Sequence, residues 1–400
     1  MPWQEKQLLE TRTRFVLAVV AGHESFAGLC RQFGFSRKTG YKWWRRYQTG
    51  GLLRLTDQPR RPRRWPGAFA TRWPERLRQL RQRHPHWGPK KLRARLRQTW
   101  PQSRRWPAVS TLARWLHRWR LTAPRLCRAR RGPRLPAQRL TVAHAPNEVW
   151  TVDFKGWFRT GDGTRVEPLA VRDLYSRRVL DIRLLPDQSD AQARRAMTRL
   201  FQRFGLPQVI RVDNGAPFGG SGPLGLTRLS VWWLRLGIQV EFTRRAHPED
   251  NGGHEQMHRV FKQEATRPPA PTVRGQQHRS TRWVNYYNQR RPHEALGQRV
   301  PGSHYRPSAR PYPRPLPSLT YPAGWAIRRV VAHGDIKWQG RFRLVGRAFV
   351  GQTVGLQPQR GGGQKVYLGS QLIGYLLPTD RAGMRPAFRP KSRPQKIKNV

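Results

Sequence analysis

Acid is scarce in this 400-residue chain: 22 Asp and Glu stand against 78 Lys and Arg, for a formal net charge of +56. A surface of that sign draws polyanions over long range and excludes an ordinary metabolic enzyme; nucleic acid is the commonest polyanion that rewards Arg over Lys. Cysteine is nearly missing. Cys30 and Cys127 are too few and too far apart for a disulfide framework or a thiolate zinc site, as suits a reducing cytoplasm. Long apolar runs are missing too. The longest, Phe15 to Ala21, is far short of a bilayer span, and Glu5 and Glu10 lie where a signal peptide would be basic and then apolar. Neither export nor membrane insertion is expected. What is present excludes wholesale disorder: 37% of the residues are hydrophobic and 10% aromatic, enough for packed cores in roughly two to four domains.

The few acids are unevenly placed. Six fall in 1–150, 13 in 151–266 and three in 267–400, so the middle segment is a different kind of domain. Between Arg60 and Leu140 there are 25 Lys and Arg and one acid, Glu75, a density that needs phosphates nearby. Pro/Arg-rich stretches Gln58–Pro66, Pro124–Pro136 and Pro307–Pro317 read as linkers, because proline stiffness and charge repulsion both oppose packing. The tail Pro378–Val400 is basic and apolar-poor, and is expected to be disordered.

Two helical units open the chain. From Thr11 to Tyr47, Phe15, Val16, Val19 and Val20, then Phe26, Leu29 and Cys30, then Tyr41 and Trp44 supply apolar faces near helical spacing for three helices. Gly34 breaks the second from the third and Ser36 caps the third, which is helix-turn-helix order. The third helix would offer Arg37, Lys38, Lys42, Arg45 and Arg46 to phosphates and guanine edges in a major groove. A second unit, Arg72–Leu121, has a core of leucines and tryptophans, Ser110 as cap of its last helix, and Lys90 and Lys91 after Trp87-Gly88-Pro89 for DNA backbone. For the first, a small helical bundle with a wet basic face is the competing reading; for the second, no specific base contact can be named.

In the acidic middle, Glu148–Phe154 alternates like a strand, and Leu169–Leu174 and Arg178–Leu185 complete a three-stranded meander. Asp153, between Val152 and Phe154, suggests a task, since a strand disfavours Asp and a buried carboxylate is costly without a cation; a cross-strand ion pair to Arg is the alternative. Asp190 caps a helix ending at Gly205, and Val209–Val212 forms a strand that delivers Asp213 at its carboxyl end, where open α/β sheets place ligands. A helix Leu226–Leu236 and a strand Ile238–Phe242 precede a helix opened by His247–Gly253, with Glu255 in its first turn. Asp213-Asn214-Gly215 read alone is a turn, and Glu255 read alone only favours the helix dipole. Three carboxylates at the ends of elements in one compact domain would repel one another unless divalent metal lay between them, and Mg²⁺ suits carboxylates plus a phosphate oxygen.

The same helix matches a zinc metalloprotease pattern, His254-Glu255-Gln256-Met257-His258. The extended form of that pattern wants Gly at 261 and His at 264, where this chain has Phe261 and Glu264; Glu294 is a distant candidate ligand. A protease would not explain the charge, the helix-turn-helix, Asp153 or Asp213.

Trp150-Thr151-Val152-Asp153-Phe154-Lys155-Gly156, Asp213-Asn214-Gly215-Ala216-Pro217-Phe218 and His247-Pro248-Glu249-Asp250-Asn251-Gly252-Gly253-His254-Glu255, with His258 and Lys262, resemble bacterial insertion-sequence transposases of the IS481 and IS3 type. Asn285-Tyr286-Tyr287-Asn288 and Arg291-Pro292-His293 fit the same pattern, and the resemblance runs over nearly the whole chain. It implies an RNase H-like, retroviral-integrase-type core in which Asp153, Asp213 and Glu255 are catalytic and hold two Mg²⁺ ions, with Mn²⁺ able to substitute, and in which Lys262 contacts DNA near the cut. It also implies homo-oligomers acting on double-stranded DNA, the element's terminal repeats and its target, in a bacterial, nucleoid-associated cytoplasmic setting. The spacing of 42 from Asp213 to Glu255 exceeds the family's usual one, with the surplus in Gly219–Gly225.

The expected organisation is multidomain. It comprises an all-α helix-turn-helix domain at 1–58, a second winged-helix-like module at 67–123, a basic linker at 124–145, an α/β RNase H-like core at 146–306, a small all-β barrel at 325–378 and a basic tail at 379–400. The function it predicts is metal-dependent phosphodiester cleavage and DNA strand transfer; a non-catalytic DNA-binding regulator or decayed transposase is the alternative, and the metalloprotease a remote one.

Overall fold

The structure is a computed structural model that describes residues 2–57, 72–103, 105–122, 140–244, 252–380 and 382–387. The expected linkers Gln58–Pro66 and Pro124–Pro136, and most of the basic tail, lie outside the described residues. The chain divides into two compact units, Met1–Arg72 and Trp73–Val400.

The first unit is helical: α1 (Pro2–Ala21), α2 (Phe26–Gln32) and α3 (Arg37–Gly50). Ser25 and Ser36 cap α2 and α3, each side chain accepting a first-turn backbone N–H, from Gly28 and from Thr39. Phe15, Val16, Leu29, Cys30, Trp43 and Leu55 form the core, with Phe26, Phe33 and Phe35 set edge-on around the Phe15 ring. Gly40 lets α2 and α3 touch, for a Cβ there would stand 2.6 Å from Cys30 Sγ. Of the predicted inward residues, Trp44 packs partly against this core, while Tyr41 is out of phase. Trp43 is buried, Tyr41 is half exposed and lies flat on Phe26. The cap at Ser36 fixes where α3 starts and sends Gly40 and Trp43 inward.

The second unit begins with α4 (Arg72–Arg83), α5 (Pro89–Thr99) and α6 (Val109–Arg118), packed through Trp73, Leu77, Trp87, Leu92, Leu96, Leu112 and Leu116. The cap of α6 is Ala108, and Ser110 sits one residue inside the helix, contrary to expectation. Arg81 ties the unit together by donating to Trp87 O at 2.6 Å and Leu121 O at 2.5 Å.

A mixed sheet follows, made of β1 (Val149–Phe154), β2 (Phe158–Arg159), β3 (Arg165–Asp173), β4 (Val179–Leu185), β5 (Val209–Val212) and β6 (Gln239–Phe242). Its order is β2-β3-β1-β5-β6, with β4 also on β3. β1, β3 and β4 pair antiparallel, as the meander expected; β5 and β6 join β1 in parallel because helices α7 (Asp190–Phe204) and α8 (Arg228–Arg235) supply the crossovers. Ser189, rather than Asp190, is the cap of α7. Strand alternation sends Trp150 and Val152 to one face, where they pack with Met197, Phe201 and Trp233 from α7 and α8. The opposite face, with Ala170, Val179 and Ile182, is covered by Met257 and Phe261 of α9 (Gly252–Ala265) and Trp283 and Tyr287 of α10 (Val273–Gln289). This is the integrase-type, RNase H-like layering of helices on both sides of a sheet.

Pro307–Pro317 does not behave as a linker. Ser308 N donates to Phe204 O, Arg310 donates to the carbonyls of Pro207, Leu236 and Gly237, and Tyr312 and Leu316 pack on the core. Arg310 spends its charge on carbonyls after α7 and at the end of α8, so the positive residues that seemed to oppose packing are what fasten the strap.

Last come β7 (Ala326–Arg329), β8 (Asp335–Trp338), β9 (Arg341–Leu344), β10 (Thr353–Pro358), β11 (Gln364–Leu368), β12 (Gln371–Leu376) and β13 (Arg385–Pro386). They form an antiparallel sheet of order β13-β12-β11-β10-β7 and a β8-β9 hairpin, linked by the Leu344–Gly383 bridge. Its core includes Leu226 and Val231 from the start of α8, so this all-β region is fastened to the core domain rather than tethered beside it.

Candidate active site

Asp153 lies near the carboxyl end of β1 and Asp213 directly follows β5. The two strands pair in parallel with Thr151 opposite Arg211. Asp153 and Asp213 each lie two residues beyond that pair, on neighbouring strands of a kind that run about 4.8 Å apart. Asp213 is exposed, yet partial desolvation still raises its carboxyl above the ordinary value, a backbone hydrogen bond from Gly215 opposing the rise. Asn214 steadies the turn by donating its side-chain amide to Thr243 O.

Glu255 stands in the first turn of α9, fully on the solvent side. The helix is held against β1 by the residue before it: the buried His254 ring bonds through Nε2 to Thr151 O at 3.1 Å. A carbonyl only accepts, so Nε2 carries the hydrogen and Nδ1 the lone pair. Gly253 makes the approach possible, since a Cβ there would lie 2.6 Å from Arg172 Nη1. His254 Nδ1 and His258 Nδ1 each stand 4.0 Å from Asp153 Oδ2. Burial first, then the neighbouring positive groups, holds His258 down to about 3 and His254 well below its ordinary value. These contacts are therefore neutral rings against a carboxylate, not ion pairs.

Among the described residues, Asp153, His254 and His258 are the one group of three potential metal-ligand side chains whose atoms all lie within 4.8 Å of one another. Asp213 and Glu255 do not join that group. Carboxylate donors near the carboxyl ends of parallel strands, open to solvent, fit Mg²⁺ by donor chemistry. Buried Asp173 is a different case, satisfied by Asn147 N, Ser176 N and Ser176 Oγ, and serves the scaffold.

Around these groups lies positive charge. Lys155 follows Asp153 by one strand repeat, and burial, with Lys262 and Arg267 near by, lowers its pKa. Lys262 is exposed on the α9 stripe that carries Glu255 and His258, at i+7 and i+4. In the sequence, the signal for Lys155 is its period-two relation to Asp153. Arg37, Lys38, Lys42 and Arg45 are exposed on α3, while Arg46 and Lys42 lean over the Trp43 ring at 4.8 and 4.5 Å. Lys90 is paired with Glu294 at 2.6 Å, and Lys91 is half-buried beside Arg291, its pKa pushed down by burial to about 8. Both lysines of the second module face the core domain, where His84 and Trp87 stack with Tyr286 of α10.

The chain matches four family models: "Helix-turn-helix domain" at residues 11–63, "Integrase core domain" at 143–248 and, as a second model, at 236–301, and "IS481 family transposase, C-terminal domain" at 325–379. It is 28% identical over 180 residues to an uncharacterized 31.7 kDa protein of insertion element IS407 from Burkholderia multivorans, covering 45% of this chain and 62% of that protein. It is 26% identical over 234 residues to an uncharacterized 39.2 kDa protein of insertion element IS476 from Xanthomonas euvesicatoria, covering 58% and 63% respectively. The matched segments thus span a little under two thirds of the length of these relatives. Among solved structures, the HTLV-2 integrase catalytic core domain in complex with magnesium is 14% identical, with a TM-score of 0.32, over 40% of this chain and 97% of that one. Along the chain these matches give a helix-turn-helix domain, an integrase core and a domain like the C-terminal domain of IS481 family transposases, in that order.

Proposed function

We propose that the chain is a DNA transposase: it binds double-stranded DNA ends through its helical modules and performs phosphodiester cleavage and strand transfer at Asp153, Asp213 and Glu255. The observation that supports this reading is the parallel pairing of β1 with β5, Thr151 opposite Arg211, with Asp153 and Asp213 each two residues further on and Glu255 in the first turn of α9, whose His254 bonds to β1. Two Mg²⁺ ions bound there would activate the attacking oxygen and stabilise the leaving one. Asp153, Asp213 and Glu255 would hold them. The work of this chain's other residues is placement. The His254 bond to Thr151 O fixes the start of α9, and hence Glu255, against β1. Lys155 and Lys262 offer charge to the phosphates flanking the cut, and the exposed face of α3 offers Arg37, Lys38, Lys42 and Arg45 to a groove. Working on paired ends, the protein would act as a homo-oligomer in the bacterial cytoplasm, in line with the absence of a described helix long and apolar enough to cross a membrane.

The two histidines do not make a protease. His254 is buried under the sheet, and the carboxylate that both rings face, at 4.0 Å, is Asp153. The test is strand transfer by the full chain on a labelled duplex carrying the element's terminal repeat, with Mg²⁺ or Mn²⁺, beside Asp153→Asn. Joined product from the wild type and none from the variant, with DNA binding retained in both, is expected. Binding without joining in both samples would instead identify a regulator.

A further inference from the structure

The catalytic reading uses Asp153 but leaves two buried imidazoles facing it. His254 Nδ1 is fully enclosed, has no hydrogen-bond partner, and points its lone pair toward Asp153 because Nε2 is committed to Thr151 O. A histidine whose far nitrogen is anchored on a backbone carbonyl is oriented as metal-bound histidines are. His258, one turn on, brings Nδ1 to the same carboxylate oxygen at the same 4.0 Å. We propose that Asp153, His254 and His258 form a second metal site, distinct from the Mg²⁺ pair, that takes a borderline transition-metal ion such as Zn²⁺ and competes with Mg²⁺ for Asp153.

The donor set decides which ion. Two neutral nitrogens and one carboxylate oxygen suit zinc, whereas Mg²⁺ demands oxygens and binds imidazole poorly. Zinc bonds of about 2.0–2.1 Å in tetrahedral array hold ligand atoms about 3.3 Å apart. The present spacing, 4.0 Å to each ring and none beyond 4.8 Å, is thus a site that closes by roughly an ångström. His258 and Asp153 keep 13% and 21% of their side-chain surface, which gives an ion a way in and leaves a fourth position for water. With Asp153 drawn toward the rings, its hold on the Mg²⁺ pair would be lost. Zinc at this site would therefore arrest the core in a DNA-independent way.

Binding is tested without DNA, so failure of the transposase reading would not touch it. Full-length protein stripped with chelator is titrated with ZnCl₂ by calorimetry at neutral pH, in the presence of excess Mg²⁺. One tight equivalent is expected, retained in Asp213→Asn and weakened at least about tenfold in His258→Gln and Asp153→Asn. Equal binding by wild type and His258→Gln, or loss in Asp213→Asn as large as in Asp153→Asn, would overturn the site. Zinc X-ray absorption on the loaded wild type needs no variant: two imidazoles in the inner shell are expected, and a shell without imidazole refutes the proposal.

Discussion

Asn288 offers the sharpest test of how the helical layer is fixed to the sheet. The side chain is buried near the end of α10 and reads the first residue of β4 in both directions: Val179 N donates to Asn288 Oδ1 at 3.0 Å, and Asn288 Nδ2 donates to Val179 O at 2.7 Å. Asn288→Ala would leave a buried N–H and a buried C=O without partners, each costing about 1–3 kcal/mol, so a loss of about 2–5 kcal/mol is expected. In a unit of this size that lowers Tm by roughly 3–7 °C. Asn288→Asp sharpens the logic, because the new carboxyl can restore both bonds only when protonated. Its folded pKa would then be raised above the unfolded value of about 3.9. The variant should be nearest to wild type at and below that pH and lose stability as pH rises toward the folded pKa. Urea unfolding monitored by tryptophan fluorescence, with unchanged slope, measures both effects. An Asn288→Ala midpoint within about 0.5 kcal/mol of wild type would refute the assignment, since that is the range of an indifferent surface change.

Three further outcomes are expected. Trp87→Ala removes a fully buried ring stacked 4.1 Å from His84 and close to Tyr286; it should cost about 3–5 kcal/mol and expose α4–α6 to limited proteolysis ahead of the core sheet. Lys91, with its folded pKa near 8 against an unfolded 10.5, opposes folding fully below pH 8 and progressively less as pH rises to 10.5. Lys91→Met should therefore raise the unfolding midpoint at pH 7, and the gain should shrink between pH 8 and 10.5. Gly253→Ala drives a methyl against the buried Arg172 guanidinium and so displaces the first turn of α9. Strand transfer should fall by at least about tenfold, as for a small misplacement at a reacting centre, while affinity for the terminal repeat is retained.

Much of the architecture was legible because it rests on local periodicity. The alternation around Val152-Asp153-Phe154, the apolar run Val209–Val212 and the Ser36 cap each specify an element from a few neighbouring residues. Errors arose where an element's phase or a charge's partner is set from outside it. Tyr41 reads as inward until the start of α3 is known, and Ser110 reads as a cap until Ala108 takes that place. Pro307–Pro317 reads as repelled chain because the carbonyls that receive Arg310 lie about 70 to 100 residues earlier.

The candidate site divides in the same way. Composition and spacing alone determined that the chain is strongly basic with three carboxylates at the ends of elements, since charge and strand or helix period are properties of the linear chain. Only the folded structure decided that β5 runs parallel beside β1, that Thr151 O fixes the His254 tautomer, and that Lys90 and Lys91 turn toward the core domain. Those facts depend on pairings across 60 to 200 residues, and a hydrogen bond or a buried charge is defined by which distant atom it meets, something no local pattern encodes.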